Sequence, residues 1–269
     1  MKKLLLAAII SLSTISTASM AEIKVGIILG FTGPIESLTP AMRDGARLAF
    51  LEASNSGNLL DGETLTILEA DSTCVDSAAA TAAAEQLVAD GVAAIMGADC
   101  SGVTGAINAN VAVPNGVLMV SPSATSPGLS TIPDGGTFWR TAPSDAMGGK
   151  VLANLALKRG VKSIAITYTN NDYGKGLADV FEAAFKSGGG EVTAVASHED
   201  GKADYSSEVG VLGSAGGDAL MVIGYLDQGG KGMIEASLDS GAFDLFVLSD
   251  GMIGQSIVDA IGSDLEGSF

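Results

Sequence analysis

The chain is predicted to be an α/β protein of two doubly wound, parallel-sheet lobes, and three observations carry that prediction. Short apolar runs such as V-A-A-I-M at 92–96 and V-L-M-V at 117–120 stop abruptly, at Gly97 and at Ser121-Pro122. Continuous apolar runs of this length between turn signals read as strands buried on both faces. Such runs alternate with helical segments, the order that right-handed βαβ crossovers produce. Finally, a single long irregular stretch holding Pro127, Gly128, Pro133, Asp134, Gly135 and Gly136 divides two such series. The junction falls near 138–145, giving expected lobes at 22–140 and 141–269.

Taken in order, residues 23–29 read as the first strand, broken by G-F-T-G-P at 30–34. Thr39-Pro40 opens a helix, with Thr39 as N-cap and Pro40 at the first helical position. Residues 64–70 form the second strand, and its exit loop at 71–76 carries Cys74. An alanine-rich helix over 77–89 closes at Asp90-Gly91. Then come the strand at 92–96, a helix beginning at Ser101, and the strand at 117–120. Beyond the irregular stretch lie a short extended segment at 137–141 and a helix capped by P-S-D at 143–145 and running to Arg159-Gly160. The second series places strands at 163–169, 191–197, 218–223 and 244–248. Its helices fall near 176–186, 205–214 and 230–240.

Composition narrows the function classes. Residues 1–21 combine Lys2-Lys3, an apolar core at 4–10 and a small-residue S-M-A ending, the pattern of a cleaved export leader. A soluble, exported protein beginning at Glu22 is expected. Of 14 basic residues two lie in the leader, so the remainder sets 12 against 31 acidic, a net −19. That balance argues against nucleic acid and anionic membrane surfaces as partners. Cys74 and Cys100, the only cysteines, read first as a disulfide in an exported chain. With a single histidine, His198, no metal-ligand spacing exists, and no metal or cofactor is expected. No G-x-S-x-G, G-x-x-x-x-G-K-[ST] or H-E-x-x-H motif occurs. Gly26, Gly30 and Gly33 miss the dinucleotide fingerprint because Ile28 stands where its first glycine is needed. His198 ends a strand before a charged loop and reads as a solvated side chain, so an enzyme is not expected.

What does stand out is chemistry at strand ends. Ser101 follows one strand tip; Ser121, Ser123, Thr125 and Ser126 follow the next. In open α/β sheets ligands bind outside the carboxyl ends of the strands, and a helix beginning at Ser101 would aim N–H groups at an anion. The same residues would serve equally well as caps and turn formers, and composition alone leaves both readings open.

Several motifs in fixed order resemble the periplasmic branched-chain amino-acid binding proteins of ABC transporters, within the type I periplasmic binding-protein family. They are I-K-V-G-I-I-L-G-F-T-G-P-I at 23–35, D-G-A-R-L-A-F at 44–50, the Cys74/Cys100 pair, C-S-G-V-T at 100–104, S-P-S-A-T-S-P at 121–127, N-N-D-Y-G-K-G at 170–176, G-Y-L-D-Q-G-G at 224–230 and S-D-G-M-I-G at 249–254. The resemblance implies two lobes that close on a small amino acid and hand it to an inner-membrane ABC permease, with the protein acting as a monomer. It places Ser101 on the serine that receives the ligand carboxylate and Thr125 at the carboxylate and ammonium region. Ser123 falls where a backbone carbonyl accepts from the ammonium, with Ala124 between them in the same ligand loop. Tyr173 and Tyr225 fall on tyrosines that close over the ligand, and Asp250 on an acid that pairs with the ammonium. A Cys74–Cys100 bridge beside Ser101 is implied too.

Physical reasoning agrees: a buried zwitterion needs donors at one end and an anion at the other, since an unpaired buried charge is very costly. Two departures bear on selectivity. Leu38 stands where the family pattern carries an aromatic side chain over the ligand, and Asp250 replaces a longer glutamate. The chain also stops at E-G-S-F, 266–269, near the return crossing, so the C-terminal part of the first lobe is expected to be missing and an apolar edge or face of that lobe exposed. The alternatives are a sensor of the same fold for an amide or short carboxylic acid, and a periplasmic hydrolase.

Overall fold

The computed structural model describes residues 22–269; the leader assigned to 1–21 lies outside the described residues. Two parallel sheets form, each flanked by helices. The first runs β2-β1-β3-β4-β5, built from β1 (Ile23–Leu29), β2 (Leu65–Asp71), β3 (Ala94–Gly97), β4 (Leu118–Ser121) and β5 (Phe138–Arg140). The second runs β7-β6-β8-β9, from β6 (Ser163–Thr169), β7 (Glu191–His198), β8 (Ala219–Ile223) and β9 (Phe246–Leu248). Every strand pair is parallel.

The helices follow the crossovers: α1 (Thr39–Asn55), α2 (Ser77–Ala89), α3 (Ser101–Ile107), α4 (Val113–Asn115), α5 (Asp145–Lys158), α6 (Asp172–Ser187), α7 (Ser206–Ala215), α8 (Gly229–Ser240) and α9 (Gln255–Ile261). None of the described helices is long and apolar enough to cross a membrane.

The central strands explain the apolar runs. All five residues of β8 are buried, as are the last five of β1, because helices cover both faces. The second core is filled by stacked Phe181 and Phe185 from α6, with Phe246 from β9. Each sheet reverses its winding next to its first strand, between β1 and β3 and between β6 and β8. Those two switch points, where adjacent loops part in opposite directions, leave a crevice at the strand ends.

Gly97 makes one of them possible: at φ +130° a Cβ there would stand 2.0 Å from the Ile28 carbonyl oxygen.

Some local readings shift. Thr39 is not the N-cap of α1; Leu38 holds that position without a side-chain cap, while the Thr39 hydroxyl donates back to the Glu36 carbonyl (3.1 Å). Helix α6 begins at Asp172, earlier than the glycines at 174 and 176 suggest, because Asn171 caps it by accepting from the Gly174 N–H (3.0 Å). Gly174 is glycine for space: a Cβ would lie 2.0 Å from the Thr169 carbonyl oxygen. In the first lobe, Leu48 and Leu51 of α1 and Trp139 of β5 are more than half exposed.

Candidate functional site

A cavity of about 120 Å³ lies between the strand ends of the two sheets. From the first sheet it is lined by Ser101, Ser123 and Thr125, with Ile35, Leu38 and Met42 as an apolar wall. From the second come Tyr173, Tyr225, Asp250 and Gly251. A groove of about 530 Å³ adjoins it, sharing Ser123, Thr125 and Asp250 and adding Asp145.

The first-sheet wall is fixed by its own backbone. Ser101 opens α3, and its Oγ accepts from the Ser126 N–H (3.0 Å), which leaves the hydroxyl proton free to donate to an anion. Ser123 Oγ donates to the Asp99 carbonyl oxygen (3.0 Å), so its hydroxyl is held as part of the wall. Ala124 is buried outside the cavity lining, and its carbonyl accepts from Arg140 Nη1 (3.1 Å). Arg140 also reaches the Ser126 carbonyl (2.8 Å) and Ser130 Oγ (2.6 Å), pinning the whole 123–126 loop.

Asp99, which sequence reasoning missed, is the hub beneath this wall. Its carboxylate accepts from Gly30 N–H (2.7 Å), Cys100 N–H (3.0 Å) and the Ser72 hydroxyl (3.2 Å), joining the ends of β1, β2 and β3. Burial pushes its pKa up and those donors pull it back down. The disulfide joins Cys74 to Cys100 over a Cα separation of 5.2 Å, beside Ser101. Thr73 and Cys74 both take positive φ (57° and 66°), a strained pair that the bridge and the Asp71 Oδ1 bond to Thr73 N–H (2.8 Å) hold in place. A lone D at a strand end in G-A-D-C-S was the available signal, and it is weak.

The second-sheet wall is held by side chains. Tyr173 donates to Asp250 Oδ1 (2.6 Å), sits 2.9 Å from Ser249 Oγ and accepts from Gly251 N–H (3.2 Å). Burial raises its pKa well above the ordinary tyrosine range, with the Asp250 charge adding to the shift. Tyr225 stacks on Tyr173 with ring centroids 5.4 Å apart, and its hydroxyl accepts from Asn171 Nδ2 (3.3 Å). Tyr173 therefore orients Asp250 as well as forming wall. Asp250 starts a short 3₁₀ turn, Asp250–Met252, and does not cap α9, which begins at Gln255.

Contacts also cross between the lobes. Asp227 accepts from Ser37 N–H (2.9 Å) and its own N–H donates to the Pro34 carbonyl (3.2 Å), while Ser256 of the same lobe steadies it by donating its hydroxyl to Asp227 Oδ1 (2.8 Å). Gly176 at the start of α6 is close enough to the first lobe that a Cβ would meet Pro127 at 2.9 Å.

His198 corrects a sequence expectation. It is 1% exposed, with Nδ1 2.7 Å from the Thr167 hydroxyl and its ring edge-on to Tyr205. Burial drives its pKa down to about 4, so it is neutral at pH 7. The strand-end position was read correctly; the covering residues, Tyr205, Gly224 and Gly229, arrive from distant segments. Among the described residues no cluster of His, Cys, Asp and Glu is arranged to hold a metal ion.

Comparison with known proteins identifies the family and the fold. The model of a family described as periplasmic binding protein matches residues 22–269. A Leu/Ile/Val-binding protein homolog 3 from Brucella melitensis is 34% identical over 216 residues, covering 80% of this chain and 58% of its own length. The leucine-binding protein LivK of Thermotoga maritima superposes with a TM-score of 0.79 at 25% identity, over 91% of this chain and 68% of that one. The branched-chain amino acid transporter substrate-binding protein LivJ of Streptococcus pneumoniae, solved with isoleucine, gives 0.75 at 28% identity, over 89% and 67%. The chain thus spans somewhat under two thirds of the Brucella relative.

Proposed function

The chain belongs to the periplasmic binding-protein family, and from that premise we propose that it captures a small α-amino acid, branched-chain side chains first, between two lobes. Delivery to an inner-membrane ABC permease, export to the periplasm and action as a monomer complete the reading, with no chemistry of its own. The observation that carries it is the polarity of the cavity. Ser101 and Thr125 offer hydroxyls on one wall and Asp250 a carboxylate from the other sheet, while Ile35, Leu38 and Met42 supply an apolar surface. A zwitterion with an aliphatic side chain satisfies all three, and a plain carboxylic acid would leave Asp250 facing a second anion.

Splitting the two ends of the guest between sheets makes closure depend on it, since only the closed form satisfies both. Asp227, by accepting from Ser37 N–H and donating its own N–H to the Pro34 carbonyl, acts as a latch on the same closure. The lobe boundary at 140/141 belongs to this reading: β5 pairs with β4, whereas α5 packs on α6.

A thermal-shift panel of amino acids tests it. A ligand at 100 times its Kd stabilises by about 2.7 kcal/mol. Leucine, isoleucine or valine is expected to raise the melting temperature. If no α-amino acid does, the reading is wrong.

A further inference from the structure

We propose that Asp145 is a second carboxylate facing the ligand's ammonium, and that it gives up a proton as the ligand binds. The inference rests on the amino-acid reading above and adds a residue and a proton to it.

Asp145 is 6% exposed, it lines the groove that shares Thr125 and Asp250 with the main cavity, and its Oδ2 is buried without a hydrogen-bond partner. The usual structural duties of an aspartate at a helix start are taken by others. Ser144 caps α5, its Oγ accepting from Ala146 N–H (3.2 Å). Arg140, the nearby cation, spends its guanidinium on Ala124, Ser126 and Ser130. What ties Asp145 down is its backbone, whose N–H donates to the Thr125 carbonyl (3.0 Å), and this sets the side chain beside the Thr125 wall.

The groups that face it are Asp250 from the turn after β9, Arg140 at the end of β5, Thr125, and Tyr173 from α6. Burial, then the Asp250 charge, raise the Asp145 pKa to about 7, against the pull of Thr125 and Arg140. A helix N-terminus on the surface would do the opposite. Among the protein's own groups the two carboxylates therefore share a deficit of positive charge. An ammonium placed between them favours the ionised form of both, and the proton of Asp145 leaves to solvent.

Isothermal titration of the protein with L-leucine, L-valine and L-alanine at pH 6, 7 and 8, in two buffers of different ionisation enthalpy, reads this directly. With the free carboxyl titrating near 7, affinity is expected to be about tenfold weaker at pH 6 than at pH 8. Binding at pH 7 should release a fraction of a proton. His198, titrating near 4, is silent in this window. Asp145→Asn keeps the shape, and it should bind about tenfold or more weakly at pH 8, lose the pH dependence, and melt higher than the parent when empty at pH 8. Binding that is flat from pH 6 to 8 without proton release overturns the proposal while leaving the amino-acid reading intact. Absence of any binding at all three pH values removes both.

Discussion

On the first-sheet side of the cleft, the hydroxyls and the buried carboxylate are answered by local backbone: Asp99 by the Gly30 and Cys100 N–H groups, Ser123 by the Asp99 carbonyl, Ser101 by the Ser126 N–H. On the second-sheet side, Asp250 is held by another side chain, Tyr173, and Asp145 Oδ2 has no partner. One wall is finished before a ligand arrives; the other lacks a cation. The difference teaches where binding energy comes from. On the proposed function, the pre-satisfied wall would supply orientation without rearrangement, and the unfinished wall the differential affinity that draws the lobes together.

That contrast can be broken from either side. The largest effect is expected at the finished wall. Cys74→Ser with Cys100→Ser opens a loop with sequence separation 26, and on the chain-entropy estimate it destabilises by roughly 3–4 kcal/mol. Denaturant melts should show that loss. If stability is unchanged, the wall is not held by its bridge.

Next comes the unfinished wall. Asp250→Asn keeps the bond to Tyr173 within reach but removes the charge, and about 3 kcal/mol of ligand affinity, roughly a hundredfold in Kd, should vanish. The empty protein should melt no lower. Titration calorimetry beside a thermal melt separates the two readouts, and equal affinity would detach Asp250 from the ligand.

The smallest effect concerns His198 behind the second sheet. Its folded pKa, near 4, lies below the ordinary value of 6.5. The unfolded chain therefore takes up the proton first, and stability is lost as pH falls from about 6.5 towards 4. Between pH 7 and 5 the loss is about 2 kcal/mol. Asp145 acts with the opposite sign over the same range, since its raised pKa favours the protonated native form as pH falls. The contribution of His198 is thus read as the difference between parent and His198→Gln, whose melting temperature should fall less steeply on acidification. Equal slopes would mean that the ring titrates as if in water.

Much of the fold was legible in the chain. Buried parallel strands announce themselves as runs such as A-L-M-V-I in β8, and glycine or proline marks where they stop. Helix starts were harder, because Asn171 caps α6 ahead of glycines that mimic a turn, and Thr39 spends its hydroxyl on Glu36. At the site, Ser101, Ser123, Thr125, Tyr173, Tyr225, Asp250 and Leu38 were named from motifs and line one cavity. Asp99 and Asp145 were not named, since one acid at a strand end and another in a capping triplet look like ordinary turn chemistry until the neighbours are placed.

By itself the sequence determined the elements, their alternation, the pairing of its two cysteines and the acidic balance, because periodicity, turn chemistry and charge are local or additive properties. Burial and partnership are neither. Only the packing of distant segments decided that His198 is sealed and neutral, that Asp99 is fully satisfied, and that Asp145 carries an oxygen with no partner. Desolvation and hydrogen bonding act through whichever atoms lie within a few ångströms, and those atoms come from across the fold.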